Sequence, residues 1–189
     1  MSEKEKIKNY LETLCSRIFP DEKTFNKFIN IKDVIIKAKK TNSRVLIFGN
    51  GGSAAIASHV SVDLTKNVKV KAINFNEADL ITCFSNDYGY EFWAEKALEF
   101  FADKDDLVVL ISSSGQSKNI INAALKAKEM SLGIITLSGF SKDNPLRSMG
   151  DINLWVDSKH YNTVENVHQA WLLSVVDYIV SIKLNKEEI

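Results

Sequence analysis

Two turns rich in glycine and serine contain the residues whose chemistry is easiest to interpret. The first is Gly49-Asn50-Gly51-Gly52-Ser53, and the second is Ser112-Ser113-Ser114-Gly115-Gln116-Ser117. Each follows an apolar run and precedes a stretch with helical spacing, which predicts a strand, a turn and then a helix N-terminus. Glycine backbone, free N–H groups and serine hydroxyls together make such a turn an anion site. Two of them at one end of a sheet would hold a phosphorylated small molecule.

Other phosphate-binding patterns fit less well. Gly49, Gly51 and Ala54 match the dinucleotide pattern G-x-G-x-x-A, with Glu77 near the place of a ribose-binding acid. Such a site does not need a second serine-rich turn, whereas a monophosphate site does, so the sequence favours a phosphosugar. The four serines of the second turn are too dense for solubility and capping alone, although Ser117 or a neighbour is expected to be an N-cap.

Alternating strands and helices would position these turns. Beyond residue 41 the pattern predicts strands near 44–48, 70–75, 106–111, 132–137 and 152–156, and helices near 53–66, 78–85, 90–101, 117–130 and 161–184. Apolar spacing predicts two further helices at 3–18 and 22–40. The expected fold class is α/β: a mostly parallel five-stranded sheet between helical layers, flavodoxin-like, with two extra N-terminal helices. We expect one domain over 1–189, in which 1–40 are the N-terminal helices and 41–189 the core and a C-terminal interface helix.

Composition narrows the class of protein. The 189 residues are 45% apolar, and 24 basic residues balance 24 acidic ones, so no global field attracts nucleic acid or an anionic membrane. Cys15 and Cys83 are too few for a disulfide framework. No apolar stretch approaches the roughly 20 residues that span a bilayer. We therefore expect a cytoplasmic protein.

The last predicted helix is apolar on more than one side. This breadth predicts a subunit interface, with Trp171 as a candidate contact residue.

The order of five motifs carries a family resemblance. Residues 49–54, 59–64, 85–89, 111–117 and 136–139 resemble the SIS (sugar isomerase) domains of the phosphoheptose isomerase type, and the resemblance extends over about residues 40–182. It implies interconversion of sedoheptulose 7-phosphate and D-glycero-D-manno-heptose 7-phosphate for surface polysaccharide such as lipopolysaccharide or capsule. It also implies a homotetramer whose active sites are shared between subunits.

The resemblance further implies which residues bind the phosphorylated sugar. Phosphate would be held by serines of both turns, and the sugar would contact Asn50 and Asp87. The complete expected binding set is Asn50, Gly51, Gly52, Ser53, Asp87, Ser112, Ser113, Ser114 and Ser117. The family's base is a glutamate four residues after a histidine. Here that position is Asp63, on the same helical face as His59.

The chain departs from the family pattern on the last helix. Where the family has a glutamine and then, eight residues on, a histidine that acts as acid, this chain has Glu165 and Leu173. Three alternatives follow. His59, Asp63 and Glu165 could hold a divalent metal such as zinc; Asp63 and Glu165 could be a catalytic carboxylate pair that shares a proton; or the protein could be a non-catalytic sugar-phosphate sensor or oligomeric adaptor.

Two further histidines have simpler interpretations. His168 lies on the last helix but on a different bearing from residue 173, and we expect it to be structural. His160 is expected to be a solvated loop residue.

Overall fold

The structure, a computed structural model, describes the backbone of residues 1–187 and the side chains of residues 1–182. Five strands in this part of the chain form one sheet: β1 Arg44–Phe48, β2 Lys71–Asn74, β3 Leu107–Ser112, β4 Gly133–Ser138 and β5 Ile152–Trp155. Their order is β2-β1-β3-β4-β5, and each neighbouring pair is parallel. The expected α/β fold is confirmed, with a sheet that is parallel throughout.

Helices cover both faces of this sheet. They are α1 Glu3–Ile18, α2 Glu22–Lys40, α3 Gly52–Asp63, α4 Ala78–Tyr88, α5 Trp93–Phe101, α6 Lys118–Glu129 and α7 Tyr161–Glu187. Helices α2, α3 and α7 pack on one face, and α4, α5 and α6 pack on the other. Side chains cap both N-terminal helices. Ser2 and Glu5 form a capping box at the start of α1, and the Asp21 carboxylate accepts from the backbone N–H of Thr24 at the start of α2.

Alternate residues of the central strands point into two apolar cores. In β1, Val45 and Ile47 pack toward α2, α3 and α7, whereas Leu46 and Phe48 pack toward α5 and α6. Because helices cover both faces, all six residues of β3 are buried. This double burial explains why the strands are continuous apolar runs in the sequence.

The end of α3 differs from the sequence prediction. We expected helix as far as residue 66, but the α-helix ends at Asp63 and Leu64–Val68 form a single π-helical turn. Lys69 then adopts a left-handed conformation with φ of 61°, and its N–H bonds back to the carbonyl of Leu64. The chain therefore turns sharply into β2 directly after the expected base.

The apolar surface of α7 is mostly covered within the chain, which corrects one expectation. Trp171 is only 5% exposed, its ring packs 5.7 Å from that of Phe28, and its indole N–H donates to the carbonyl of Ile18 at 2.8 Å. Trp171 is thus a core residue and not a free interface residue, because α1, α2 and α3 surround this side of α7. No helix among the described residues is long and apolar enough to span a membrane.

Candidate functional site

The two turns meet at the carboxyl ends of neighbouring strands. The first turn (residues 49–53) follows β1, the second turn (residues 112–117) follows β3, and these two strands pair in parallel. In the order β2-β1-β3-β4-β5 the chain leaves β1 to one side and later returns on its other side. Open α/β sheets bind ligands at this reversal of strand order. The topology therefore brings the two predicted anion sites together.

Glycine geometry shapes the first turn. Gly51 has φ of 53°, which favours glycine, and no side chain caps the N-terminus of α3 that it precedes. The hydroxyl-bearing residue of this turn, Ser53, is buried at 3% exposure. No side chain of the turn itself therefore caps the N-terminus of α3, which leaves its backbone N–H groups for another anion.

A pair of asparagines locks the first turn to α6. The amide of Asn50 donates to Asn119 at 3.0 Å, and the amide of Asn119 donates back to Asn50 at 2.9 Å. The Tyr90 hydroxyl also donates to the Asn50 oxygen, at 3.1 Å. Asn119 is 2% exposed and lies in the first turn of α6. Sequence reasoning missed Asn119 and Tyr90, and the only available signal was a polar residue on the otherwise apolar side of α6.

The second turn is ordered by its own hydroxyls. Ser112 donates to Ser117 at 3.0 Å, and the Ser114 hydroxyl accepts from the backbone N–H of Gln116 at 3.2 Å. Ser117 occupies the N-cap position of α6 as expected, but its side chain caps no helical N–H. The N-terminus of α6 therefore also stays available. Gly115 has φ of 67°, and a Cβ there would overlap Asn144.

Glu165 lies between the two turns. Its carboxylate accepts from the Ser113 hydroxyl at 3.3 Å, and a side chain on Gly52 would overlap it. The structure thus brings this α7 residue to the two turns. Asp87 is different: it lies in the last turn of α4, and its described hydrogen bonds run to Cys83 and Asn86 of the same helix.

The expected base lies farther along α3. Asp63 Oδ2 is 3.4 Å from His59 Nε2, and its Oδ1 accepts from the Asn67 amide at 3.3 Å. The Gln169 amide nitrogen of α7 is 3.1 Å from His59 Nδ1. Sequence reasoning missed Gln169, because it lies 110 residues from His59 and only the packing of α7 on α3 joins them.

The structure does not assemble the expected metal set or the carboxylate pair. Among the described residues, no group of three His, Cys, Asp or Glu side chains is placed to hold a metal ion. Glu165 contacts Gly52, the first residue of α3, whereas Asp63 is its last. Those positions are about 16 Å apart along the helix axis. His59 and Asp63 are together, but Glu165 neither completes a metal site with them nor shares a proton with Asp63.

His168 anchors α7 beside this site. It is fully buried, and its Nε2–H donates to the carbonyl of Ser138 at the end of β4, at 3.1 Å. Burial lowers the pKa of His168 from 6.5 to about 4, against the opposing effect of this hydrogen bond, so the ring is neutral near pH 7. It lies one helical turn from Glu165 and fits the structural role expected of it. His160 is exposed.

Comparison with known proteins assigns the chain to a family. The SIS domain family profile matches residues 8–139. The phosphoheptose isomerase of Campylobacter concisus is 32% identical over 176 residues, which cover 86% of this chain and 88% of that protein. The solved phosphoheptose isomerase of Francisella tularensis superposes with a TM-score of 0.84 at 26% identity, covering 95% of this chain and 98% of that one. For the enzyme from Neisseria gonorrhoeae the TM-score is 0.88 at 24% identity, covering 95% and 100%. The chain belongs to the SIS domain family and, within it, to the phosphoheptose isomerases.

Proposed function

We propose that this chain is a phosphosugar isomerase that interconverts sedoheptulose 7-phosphate and D-glycero-D-manno-heptose 7-phosphate, for use in a surface polysaccharide. The proposal rests on two helix N-termini without side-chain caps, those of α3 and α6, which meet where the strand order reverses. One of these helices, α3, carries His59 and Asp63 in its last two turns. Relatives named phosphoheptose isomerase support the same class of substrate.

In this proposal the serines bind phosphate. Hydroxyls of Ser53, Ser112, Ser114 and Ser117 and the helix N-termini donate to its oxygens, while Gly51, Gly52 and Ser113 let the ligand approach the backbone. Asn50 and Asp87 contact sugar hydroxyls. Asn119 holds Asn50 in place for this contact through the paired amides.

Asp63 moves the proton in the proposed reaction. Its carboxylate removes the proton from the carbon next to the carbonyl, which leaves an enediolate, and then returns a proton to the neighbouring carbon. One proton also passes between the two oxygens. Glu165, which lies against the first residue of α3, is about 16 Å from Asp63 along the helix axis and does not serve these oxygens within the same subunit.

Leu173 favours one alternative, a non-catalytic sugar-phosphate sensor or adaptor. It occupies the position of the acid histidine implied by the family pattern, and it is partly buried against the apolar core. A leucine cannot transfer protons. Enzyme assay separates the two functions, because a sensor binds the sugar phosphate without turnover.

The test is steady-state assay of the purified protein on sedoheptulose 7-phosphate and a panel of ketose and aldose phosphates, with and without divalent metal. We expect turnover well below the ~10 per second of typical enzymes, because Asp63 is a methylene shorter than glutamate and an error near 1 Å costs about 100-fold. The triple change Asp63→Glu, Glu165→Gln and Leu173→His should raise turnover by at least ~100-fold.

A matched control carries the same three exchanges on the surface: Asp33→Glu, Glu129→Gln and Leu125→His, at exposed positions. Its turnover should equal that of the unaltered protein. Tight binding with no turnover on any of these sugars, before and after the active-site changes, would contradict the isomerase and leave the sensor.

We also propose that the chain forms a homotetramer with shared sites. None of the residues of α1 is buried, and its apolar side chains Ile7, Tyr10 and Leu11 are 64%, 42% and 52% exposed. An open apolar groove of about 340 Å³ lies near Phe25, Ile29 and Tyr178 of α2 and α7. Exposed apolar surface of this kind is typical of a subunit contact.

Ile7→Glu with Leu11→Glu should dissociate this assembly, while Asn9→Glu with Thr13→Glu on the polar side of α1 should not. Light scattering at micromolar concentration measures the mass. An unaltered protein that is monomeric there would refute the tetramer.

A further inference from the structure

A side chain of α7 contacts the histidine beside the proposed base. The Gln169 amide nitrogen lies 3.1 Å from Nδ1 of His59, while Nε2 of the same ring lies 3.4 Å from Asp63 Oδ2. The His59 ring therefore lies between the Gln169 amide of α7 and the Asp63 carboxylate, which is one turn further along α3. Neither the family pattern nor the sequence of α3 points to residue 169.

The chemistry of the two contacts determines where the ring proton sits. An amide N–H₂ only donates, so Nδ1 of His59 must accept with its lone pair. A neutral imidazole then carries its hydrogen on Nε2, which is the nitrogen that faces Asp63. The same hydrogen-bond partner thus sets both the tautomer and the orientation of the ring.

Asp63 is flanked on its other side as well. Its Oδ1 accepts from Asn67 at 3.3 Å, while Oδ2 faces His59. The carboxylate is therefore held between residues four before it and four after it. We propose that Gln169 is a positioning residue, which holds His59 with its Nε2–H toward Asp63 and so orients the carboxylate that moves the substrate proton.

This inference rests on the proposed function for its kinetic consequence but not for its structural content. Aspartate is one methylene shorter than the family's glutamate and has one side-chain torsion fewer, so it can adjust its carboxylate less to the substrate. The neighbours that fix its orientation therefore matter more. Leu173, one turn beyond Gln169 on α7, offers Asp63 no polar contact. Gln169, acting through His59, supplies one.

The first test identifies which ring nitrogen of His59 carries hydrogen, by nitrogen NMR on protein freed of metal with a chelator. The chain has only three histidines, so selective ¹⁵N-histidine labelling gives a simple spectrum, and a His59→Asn sample assigns the signal. We expect the spectrum to show hydrogen on Nε2 of His59 and none on Nδ1. Gln169→Glu should move the hydrogen to Nδ1, because a carboxylate only accepts.

The second test is steady-state kinetics with sedoheptulose 7-phosphate. Gln169→Leu should lower kcat by about 10- to 100-fold, the usual cost of losing a partner that orients an active group, and leave KM nearly unchanged. Asn166→Leu is the matched control, since among the described residues its amide donates only to the carbonyl of Asn162 on its own helix. It should change neither constant.

Hydrogen on Nδ1 in the unaltered protein would overturn the inference, and so would a Gln169→Leu variant with unchanged tautomer and kcat. The two proposals fail separately. Absence of isomerase activity in the unaltered protein would refute the proposed function. The NMR measurement would still test the role of Gln169.

Discussion

His168 should make this fold less stable at acid pH. The ring is fully buried, donates to the Ser138 carbonyl, and has no partner for Nδ1 among the described residues. Burial lowers its pKa from 6.5 to about 4. Between these two values the unfolded chain binds a proton that the folded chain does not, so stability falls as the pH falls from 6.5 toward 4.

The size of the effect follows from the same two values. Each tenfold difference in proton affinity corresponds to about 1.4 kcal/mol, so the lowering of the His168 pKa is worth about 3 kcal/mol over the whole window. Above pH 6.5 the ring is neutral in both the folded and the unfolded state, so none of this free energy of unfolding is lost. This is a large fraction of the roughly 5–15 kcal/mol that stabilises a typical domain.

The assay is urea unfolding at a series of pH values between 7.5 and 4.5 at one fixed protein concentration, because assembly also affects apparent stability. Carboxylates contribute to any acid sensitivity, so the comparison is with His168→Gln, which can donate to Ser138 but cannot ionise. We expect the variant to lose about 2.5 kcal/mol less than the unaltered protein on acidification from pH 7.5 to 4.5. His160→Gln, at an exposed site, should follow the unaltered protein.

Parallel pH curves for the unaltered protein and His168→Gln would refute this reasoning. The histidine NMR signal gives an independent check, because a His168 resonance that titrates near 6.5 would show that the ring is not desolvated in the folded protein. Since His168 lies one turn from Glu165, its protonation should also disturb the placement of that carboxylate.

Three further changes test the site and its support. Ser114→Ala with Ser117→Ala should weaken sugar-phosphate binding by roughly 1.5–3 kcal/mol per lost hydrogen bond, and an unchanged affinity in calorimetry would exclude these serines from the phosphate site. Asn119→Leu, which removes the amide partner of Asn50, should cost roughly 1–3 kcal/mol in urea unfolding and raise KM. Asp106→Ala should cost about 3 kcal/mol in the same unfolding assay, because the buried Asp106 carboxylate accepts at 2.7 Å from both the guanidinium and the backbone N–H of Arg44; a smaller loss than for Asp143→Ala, at an exposed position, would contradict this.

The architecture was accessible from the sequence because its signals are local. Strands buried on both faces read as apolar runs, and the predicted strand at 44–48 coincides with Arg44–Phe48. Serine and glycine at the ends of two such runs marked the turns. The π-helical turn after Asp63 was not predictable, since Lys69 adopts its left-handed conformation without a glycine.

The position of the last helix was beyond sequence reasoning. Its apolar breadth predicted a subunit contact, yet Trp171 is covered by α1 and α2 of the same chain. Periodicity reports which residues avoid water but not which surface covers them. The same limit applied to Glu165, which was expected near Asp63 and instead lies against the first turn.

The sequence by itself therefore determined the order of elements and the two turns of glycine and serine, because each depends on residues close together in the chain. Only the tertiary structure decided that Asn119 holds Asn50, that Gln169 reaches His59, and that Glu165 is separated from Asp63. These relations depend on how α6 and α7 pack against the sheet and α3. Packing joins residues far apart in the chain, and a single sequence carries no local signal of such pairs.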